Sequence, residues 1–380
     1  MISHLSLKNF TAFNDLNIVF SPGINIMIGE NGTGKTQLLK AILALSGPEA
    51  CGDLAGERLA RKICRLFHPL SERLGELRRV GTRGKSVLES SFASGQVITA
   101  KFYGKDTKAD VTFSAGLDVH QAIFIPTKEV LSLVRGLTNE PDLPTIERIF
   151  DDGYLDLARQ LVKEGTSDLN AKVQLDPRFT TIVPRLTNLI DGQYLLENGR
   201  FIFQPGRYVE KKASTRSRSR HAQMYQDSTE WKFVPIGKNR LSSGMTAEGF
   251  RKIGVLQRLL SNGSLEPGVT GPLLWDEPES NLNPKLMKDL VQALLELSRN
   301  GQQVILATHD YVLLKWFDLL MDKGKGDQVR FFSLYRDAST NEVKSSTTDD
   351  YLHIAPNPID DAFGFLLNQE IENDMGGLGK

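Results

Sequence analysis

The 380-residue sequence is short of cysteine, of net charge and of long apolar runs, and each shortage excludes a class of protein. Only Cys51 and Cys64 are present, without paired metal spacing, so neither a disulfide framework nor a zinc site is expected. Both read as small buried residues or incidental thiols. Lysine and arginine together number 46, as do aspartate and glutamate, so no global charge forces a nucleic-acid or membrane partner, although local patches remain open. No apolar run reaches the length of a membrane span, and the opening MISHLSLKNF lacks the charged-then-apolar layout of a signal peptide. The expectation is a soluble, cytoplasmic protein. No segment repeats at a fixed period and no long heptad run occurs, which argues against a solenoid and an extended coiled coil.

What is present begins with INIMIGENGTGKTQLLKAILAL. An apolar strand, Ile24–Ile28, meets Gly29, and Gly29–Thr36 reads G-x-x-x-x-G-K-T before a helical run to Leu45. Strand, glycine loop and helix N-terminus are the context that phosphate binding requires. The glycines let backbone N–H groups turn inward around phosphates, and the helix dipole favours the anion. In that arrangement Lys35 reaches β and γ oxygens and Thr36 holds Mg²⁺, with Asn31, Gly32, Thr33, Gly34 and Gln37 completing the nucleotide-binding stretch.

Downstream, GPLLWDEPESNLNPKL reads as a strand, Leu273–Trp275, ending in Asp276 and Glu277. A strand delivering an aspartate at its C-terminal edge suits a Mg²⁺ ligand, and the adjacent Glu277 is placed to activate water. After a helix from about Pro284 to Arg299, a further apolar strand, Val304–Ala307, ends in Thr308, His309 and Asp310. Three strand ends in the order P-loop, Asp-Glu, His converge on one edge if the sheet is parallel.

Together, Gly29–Thr36, LLWDEP, SNLNP and THD resemble an ABC-type ATPase head of the SMC, RecF and OLD-like (overcoming lysogenisation defect) AAA group. The opening HLSLKNFTAFNDLNIVFSPGINIMIGENGTGKT is similar to that group's usual start. The resemblance covers about residues 1–48 and 236–340. It implies an α/β fold: an ABC-type P-loop ATPase head, with a mixed or parallel sheet and flanking helices, carrying an inserted α+β lid region. It also implies ATP and Mg²⁺ as cofactors, Asp276 as the Walker B ligand, Glu277 as general base and His309 as the γ-phosphate switch, with Lys35 among the catalytic groups. Ser280–Asn283 occupies the D-loop, with Asn283 where an aspartate is common.

In such heads a signature stretch contacts the partner's γ-phosphate, and LSSGMTAEGF, from Leu241 to Phe250, lies where one belongs. Two registers compete. LSSGM offers Ser242, Ser243 and Gly244; TAEGF offers Thr246 and Glu248 at better spacing from the following helix. Lys35 and Ser242 are 207 positions apart, unlike transporter subunits, and the intervening chain reads as helical around 54–79, strand-like around 87–125, helical around 128–163 and 176–191, and strand-like near 194–210. The domain expectation is a discontinuous head, 1–50 and 236–345, an insertion, 51–235, part of which completes the head sheet, and a polar, turn-rich tail, 346–380. In IFIPTKEVLSL no glutamine stands where ABC heads sense Mg²⁺; Thr127 and Glu129 are candidates, against the preferred reading of Thr127 as a helix N-cap. The chain after His309 is too short for a TOPRIM nuclease, and Asp349, Asp350, Asp360 and Asp361 read as a solvated acidic tail rather than a metal site.

Two basic segments complete the inventory. Residues 57–85 hold nine Lys/Arg against three Glu, and residues 207–221 include Arg207, Lys211, Lys212, Arg216, Arg218 and Arg220. DNA or RNA is a possible partner for both, with a solvated helix face and a loop as the alternatives. The expected function is an ATPase that forms a homodimer or higher homo-oligomer around ATP. It would gate a separate effector protein, in a two-component bacterial or anti-phage defence system, with no membrane partner. The alternatives are a RecF-like DNA-binding repair and recombination ATPase and a slow-hydrolysing scaffold that restrains a toxin.

Overall fold

A computed structural model describes residues 1–114, 120–138, 140–165, 173–174, 176–212 and 229–376. The chain divides into two units: Met1–Lys128 with Asn139–Leu157 and Pro267–Lys380, and Glu129–Thr138 with Ala158–Glu266. Residues 51–128 thus belong to the same unit as the P-loop.

The first unit contains two sheets. One is antiparallel, in the order β2-β1-β4-β5-β6, from β1 (Ile2–Phe10), β2 (Phe13–Val19), β4 (Ser86–Phe92), β5 (Val97–Phe102) and β6 (Asp110–Phe113). Ser86, Leu88 and Ser90 of β4, and Leu16 and Ile18 of β2, are buried with more open residues between them, as in strands with one buried face. In β1 the inward set changes phase: Ile2 is buried, a register shift follows before His4, and Leu5 and Leu7 then point inward.

The other sheet has the order β15-β14-β3-β13-β12-β7. Here β3 (Ile24–Gly29), β7 (Ile123–Ile125), β12 (Leu273–Asp276), β13 (Val304–Ala307) and β14 (Val329–Arg336) pair in parallel, and β15 (Val343–Thr348) closes one edge antiparallel. Every residue of β3, β7, β12 and β13 is buried, which explains why their sequences are continuous apolar runs rather than alternating ones. Two polar residues interrupt these runs, Asp276 at the end of β12 and Asn25, and Asn25 is satisfied: it accepts from Ser21 N at 2.7 Å and donates to Ser21 O at 2.9 Å.

Helix α1 (Lys35–Leu45) leaves the P-loop and buries Leu38, Leu39 and Ala41 to Leu45. Those residues share one apolar core with Leu5 and Leu7 of the antiparallel sheet and Leu274 and Ile305 of the parallel one. Helix α2 (Ala55–Phe67) is amphipathic, burying Leu59, Ala60, Ile63 and Leu66.

In the second unit β8 (Gly192–Glu197), β9 (Arg200–Lys212), β10 (Thr229–Pro235) and β11 (Leu241–Ser242) form an antiparallel sheet with β9 central. Asn198 and Gly199, with φ of 51° and 69°, make the two-residue turn between β8 and β9, which an Asn-Gly pair accommodates without steric cost. The helix Glu248–Ser261 buries Ile253, Val255, Leu256, Leu259 and Leu260.

The last stretch is not the turn-rich tail expected. A helix spans Pro358–Gly376, started by Asn357, whose side-chain oxygen accepts from Asp360 N at 3.2 Å, and by proline at its first position. Among the described residues no helix is long and apolar enough to cross a membrane. Cys51 and Cys64 are both free, and burial, reinforced by Glu72 and Glu76, pushes the Cys64 thiol up to about 11.

The first basic segment is partly structural. Lys62 is 6% exposed and ion-pairs with Asp156 and, at 3.2 Å, with Asp152, which also meets Arg65 at 2.7 Å. Arg79 donates to Ala12 O at 3.0 Å, whereas Arg61 stays exposed. Removing a buried cation strands its partners in low dielectric. Lys62→Met is therefore expected to lower the unfolding free energy by about 3 kcal/mol, since Arg65 still screens Asp152. Arg61→Met on the same helix should change it by less than about 0.5 kcal/mol. Urea titration of both variants checks the contrast.

Candidate active site

The parallel register sets Ile24, Val304 and Leu273 side by side, and Met27, Ala307 and Asp276 likewise. The C-terminal ends of β3, β13, β12 and β7 therefore share one edge, where the next residues of each strand emerge. The P-loop follows β3. Gly29 has φ of 149°, and a Cβ there would lie 2.2 Å from Leu334 O; at Gly34, φ 94°, it would lie 2.6 Å from the Phe13 ring. Both positions admit only glycine, so the loop's shape is enforced by its neighbours.

Thr36 Oγ1 donates to Asp276 Oδ2 at 2.8 Å, and Thr127 Oγ1 donates to the same oxygen at 3.1 Å. The Thr127 hydroxyl is thus spent on Asp276 and caps no helix, which corrects the N-cap reading. Glu129 lies in the second unit, where it meets Arg251 at 2.8 Å. Burial raises the Asp276 carboxyl above its ordinary value, the two threonine hydroxyls lower it, and Glu277 raises it further. Lys35 Nζ donates to Gly29 O at 2.6 Å and Glu30 O at 3.1 Å. Burial lowers its pKa, opposed by Asp276, Glu277 and Glu279.

Asn31, Gly32 and Thr36 are exposed at the loop, while Thr33 is buried and its hydroxyl donates to Glu30 O at 2.8 Å, bracing the loop from within. Gln37 Oε1 is buried without a hydrogen-bond partner. Arg336, at the end of β14, donates to Gly32 O at 2.9 Å.

Glu277 has φ of 49°, a conformation that L side chains adopt rarely and that clusters at functional sites. Its Oε1 lies 3.2 Å from Nδ1 of His309, whose side chain is half exposed. One further group stands here that sequence reasoning passed over. Glu279 is 7% exposed, accepts from Thr308 Oγ1 at 2.7 Å and His309 N at 3.2 Å, and lies 3.8 Å from the His309 ring. Its position two residues beyond Glu277 in DEPES was the available signal.

This donor set fits a magnesium nucleotide. Mg²⁺ is held by one or two carboxylates, with phosphate and water completing its shell, and here a single carboxylate and a hydroxyl meet beside an ammonium. Among the described residues no group of three or more His, Cys, Asp or Glu forms a metal site by itself.

The stretch Leu241–Phe250, expected from sequence to be a signature, lies in the second unit and is described there alone. Ser242 ends β11 and is exposed, as is Gly244 in the turn Ser243–Met245, where an added Cβ would meet nothing within 4 Å. Thr246 is occupied: its hydroxyl lies 2.6 Å from Tyr194 OH and donates to Ser243 O at 2.7 Å. Burial, against the lowering effect of that Thr246 contact, pushes the Tyr194 hydroxyl up to about 12. The helix starts at Glu248 without a side-chain cap. Of the second basic segment, Arg207 pairs with Asp191 at 2.5 Å, while Arg216, Arg218 and Arg220 lie outside the described residues.

Comparison with known proteins agrees with this layout. Residues 126–315, half of the chain, match the family described as "AAA domain, putative AbiEii toxin, Type IV TA system", and residues 4–61 match a second AAA domain family. The chain is 44% identical over 45 residues to the DNA replication and repair protein RecF of Ligilactobacillus salivarius (strain UCC118), a match covering 12% of each. It is 47% identical over 47 residues to RecF of Tropheryma whipplei (strain TW08/27), covering 12% of this chain and 13% of that one. The chain thus spans only 12–13% of the length of these curated relatives. Among solved structures, an SMC head bound to the C-winged helix domain of ScpA aligns over 91% of this chain and 97% of its own, with 15% identity and a TM-score of 0.50. At that identity the likeness is one of fold: an SMC head-like ABC ATPase, α/β, with parallel and antiparallel sheets and flanking helices.

Burial holds the Glu279 carboxyl above its ordinary range, against the Thr308 hydroxyl and the His309 amide, which lower it. The folded state keeps this proton to higher pH than the unfolded chain does. The carboxylate's cost therefore grows as pH rises from the unfolded value through the folded one. Glu279→Gln removes the titration, so its melting temperature relative to the unmodified chain should climb as pH rises above the unfolded value of about 4.3. A pH series of thermal melts reads this directly; a constant difference would place Glu279 among ordinary carboxylates.

Proposed function

Since the chain belongs to the AAA-domain family described as "putative AbiEii toxin, Type IV TA system", we propose that it binds and hydrolyses ATP with Mg²⁺, pairs with a second copy around the nucleotide, and gates a separate effector. The observation that carries this reading is the convergence of the Thr36 and Thr127 hydroxyls on Asp276, on the strand-end edge that also bears Lys35, Glu277 and His309.

In this proposal, residues Asn31 to Gln37 wrap the triphosphate with backbone N–H groups, and Lys35 exchanges its loop carbonyls for β and γ oxygens. Thr36 and Asp276 would hold Mg²⁺, which when bound would supply positive charge against the phosphates. Glu277 orients the attacking water and accepts its proton. His309 donates toward the γ-phosphate and stays registered to Glu277 through their 3.2 Å contact. Glu279 fixes the His309 backbone from below. Ser242, Ser243 and Gly244 are the signature groups offered to the partner's phosphate, because Thr246 is tied to Tyr194 and Ser243. Glu248 and the uncapped helix start stand behind them.

The family's description, which names a putative toxin and a toxin–antitoxin system, supports an effector-gating role in bacterial or phage defence. A second reading is favoured by the RecF matches, each over about 12% of the chain. It makes this a DNA-responsive ATPase, with the 207–221 segment as the phosphate-neutralising element.

Glu277→Gln is expected to lower kcat about 10²- to 10⁴-fold while ATP binding persists. With ATP the variant should elute from gel filtration at the mass of a pair, and without ATP at that of one chain. Unchanged turnover sinks the catalytic assignment. Duplex DNA that raises turnover, with the rise abolished by Arg216→Ala, Arg218→Ala and Arg220→Ala together, decides for the second reading.

A further inference from the structure

A largely buried cation stands behind the turn Ser243–Met245. Arg251, one turn into the helix Glu248–Ser261, keeps only 14% of its side chain exposed. One guanidinium nitrogen, Nη1, donates to two carbonyls, Ser243 O at 3.3 Å and Thr246 O. Its Nε lies 2.8 Å from Oε1 of Glu129, whose side chain is 6% exposed. Glu129 is braced in turn: Oε2 accepts from Ser132 N at 3.1 Å, and Oε1 accepts from the Ser132 hydroxyl. All of these residues belong to the second unit.

Ser243 O is the focus of the cluster. It also accepts from Thr246 N at 3.2 Å and from the Thr246 hydroxyl at 2.7 Å, so three donors meet on one carbonyl. A carbonyl oxygen has two lone pairs, so three donors exceed what satisfying it requires. Ser242 and Gly244, by contrast, are exposed, and Met245 is 71% exposed. The turn is fastened through its carbonyls while its tip stays open. Water would satisfy an exposed turn, whereas burying an arginine–glutamate pair at best breaks even against apolar residues of the same size. Stability therefore does not account for the pair, and a demand on where the turn sits does. A guanidinium meets that demand by shape, since its planar fork fixes the angles between its N–H groups and a lysine ammonium does not.

We propose that Arg251, held by Glu129, is a positioning residue for the turn Ser243–Met245, and that the turn is set to receive the terminal phosphate of a nucleoside triphosphate on a second copy of the chain. This rests on Leu241–Phe250 being the signature stretch, and it adds what holds that stretch in place before the second copy arrives. Arg251 touches no phosphate itself. With the Ser243 and Thr246 carbonyls pinned to the guanidinium, their partial negative charge is kept from the incoming anion, and the hydroxyls of Ser242 and Ser243 are left to meet it. Glu129 neutralises the guanidinium so that the fork can be buried.

The test uses the full chain carrying Glu277→Gln as parent, with ATP and Mg²⁺. Sedimentation velocity over a series of chain concentrations reads pairing, a fluorescent ATP analogue reads nucleotide binding to single chains, and thermal melts read folding. Arg251→Met with Glu129→Gln removes the ion pair without stranding a buried charge. This double variant is expected to melt within a few degrees of the parent and to bind the analogue within about twofold. It should need at least about tenfold more chain for half-maximal pairing. Arg251→Lys keeps the charge beside Glu129 but loses the fork, and should weaken pairing at least about threefold. A merely structural pair gives another pattern: melting and analogue binding fall together, and Arg251→Lys matches the parent. That pattern overturns the proposal, as does pairing of the double variant at the parent's concentration. If the double variant does not fold, Arg251→Lys decides alone. A parent that does not pair with ATP sinks the signature assignment and this proposal with it, whereas pairing indifferent to Arg251 sinks this proposal only.

Discussion

In-register parallel pairing of β3, β13 and β12 is the constraint on which the site depends. Because the strands run the same way and stop together, the P-loop, the Asp-Glu pair and the His309 loop leave the sheet at one edge. The hydrogen bond from Thr36 to Asp276 then ties the start of α1 to the end of β12 across that edge. A one-residue slip of β12 would turn Asp276 to the opposite face and break that link.

The same edge concentrates groups that are costly to bury. Asp276 and Glu279 are both pushed toward protonation by burial, and Lys35 toward deprotonation, yet each is held by specific partners: two threonine hydroxyls, a third with a backbone amide, and two loop carbonyls. The left-handed backbone of Glu277 adds strain at that strand end. Such an arrangement holds buried charge through hydrogen bonds that the fold has already oriented.

Away from the edge, charge is used to assemble the unit. Lys40 on α1 meets Asp151 at 2.7 Å, and Lys62 and Arg65 on α2 meet Asp152, so the stretch around residues 151–152 is pinned to the two helices beside the P-loop. The basic character of residues 57–85 is therefore divided, with part buried in ion pairs and part left to solvent. Local composition does not reveal that division, because the carboxylates involved lie far along the chain.

Much of the head was legible in sequence for a local reason. A buried parallel strand must be apolar at almost every position, a phosphate loop must carry glycine where its backbone turns to positive φ, and a helix start announces itself through its first residues. Those requirements act within a few residues, so Gly29–Thr36, Leu273–Glu277 and Val304–His309 could be read directly. Thr127 and Glu279 could not, because their roles are defined by Asp276 and Thr308, which only the sheet brings near. Likewise, neither LSSGM nor TAEGF announces that Tyr194, 52 residues earlier, lies within hydrogen-bonding distance of Thr246. The sequence alone determined which chemical groups this protein carries and which strands deliver them. The tertiary structure decided which of those groups hold one another and which stay open, because that depends on contacts between residues distant in the chain.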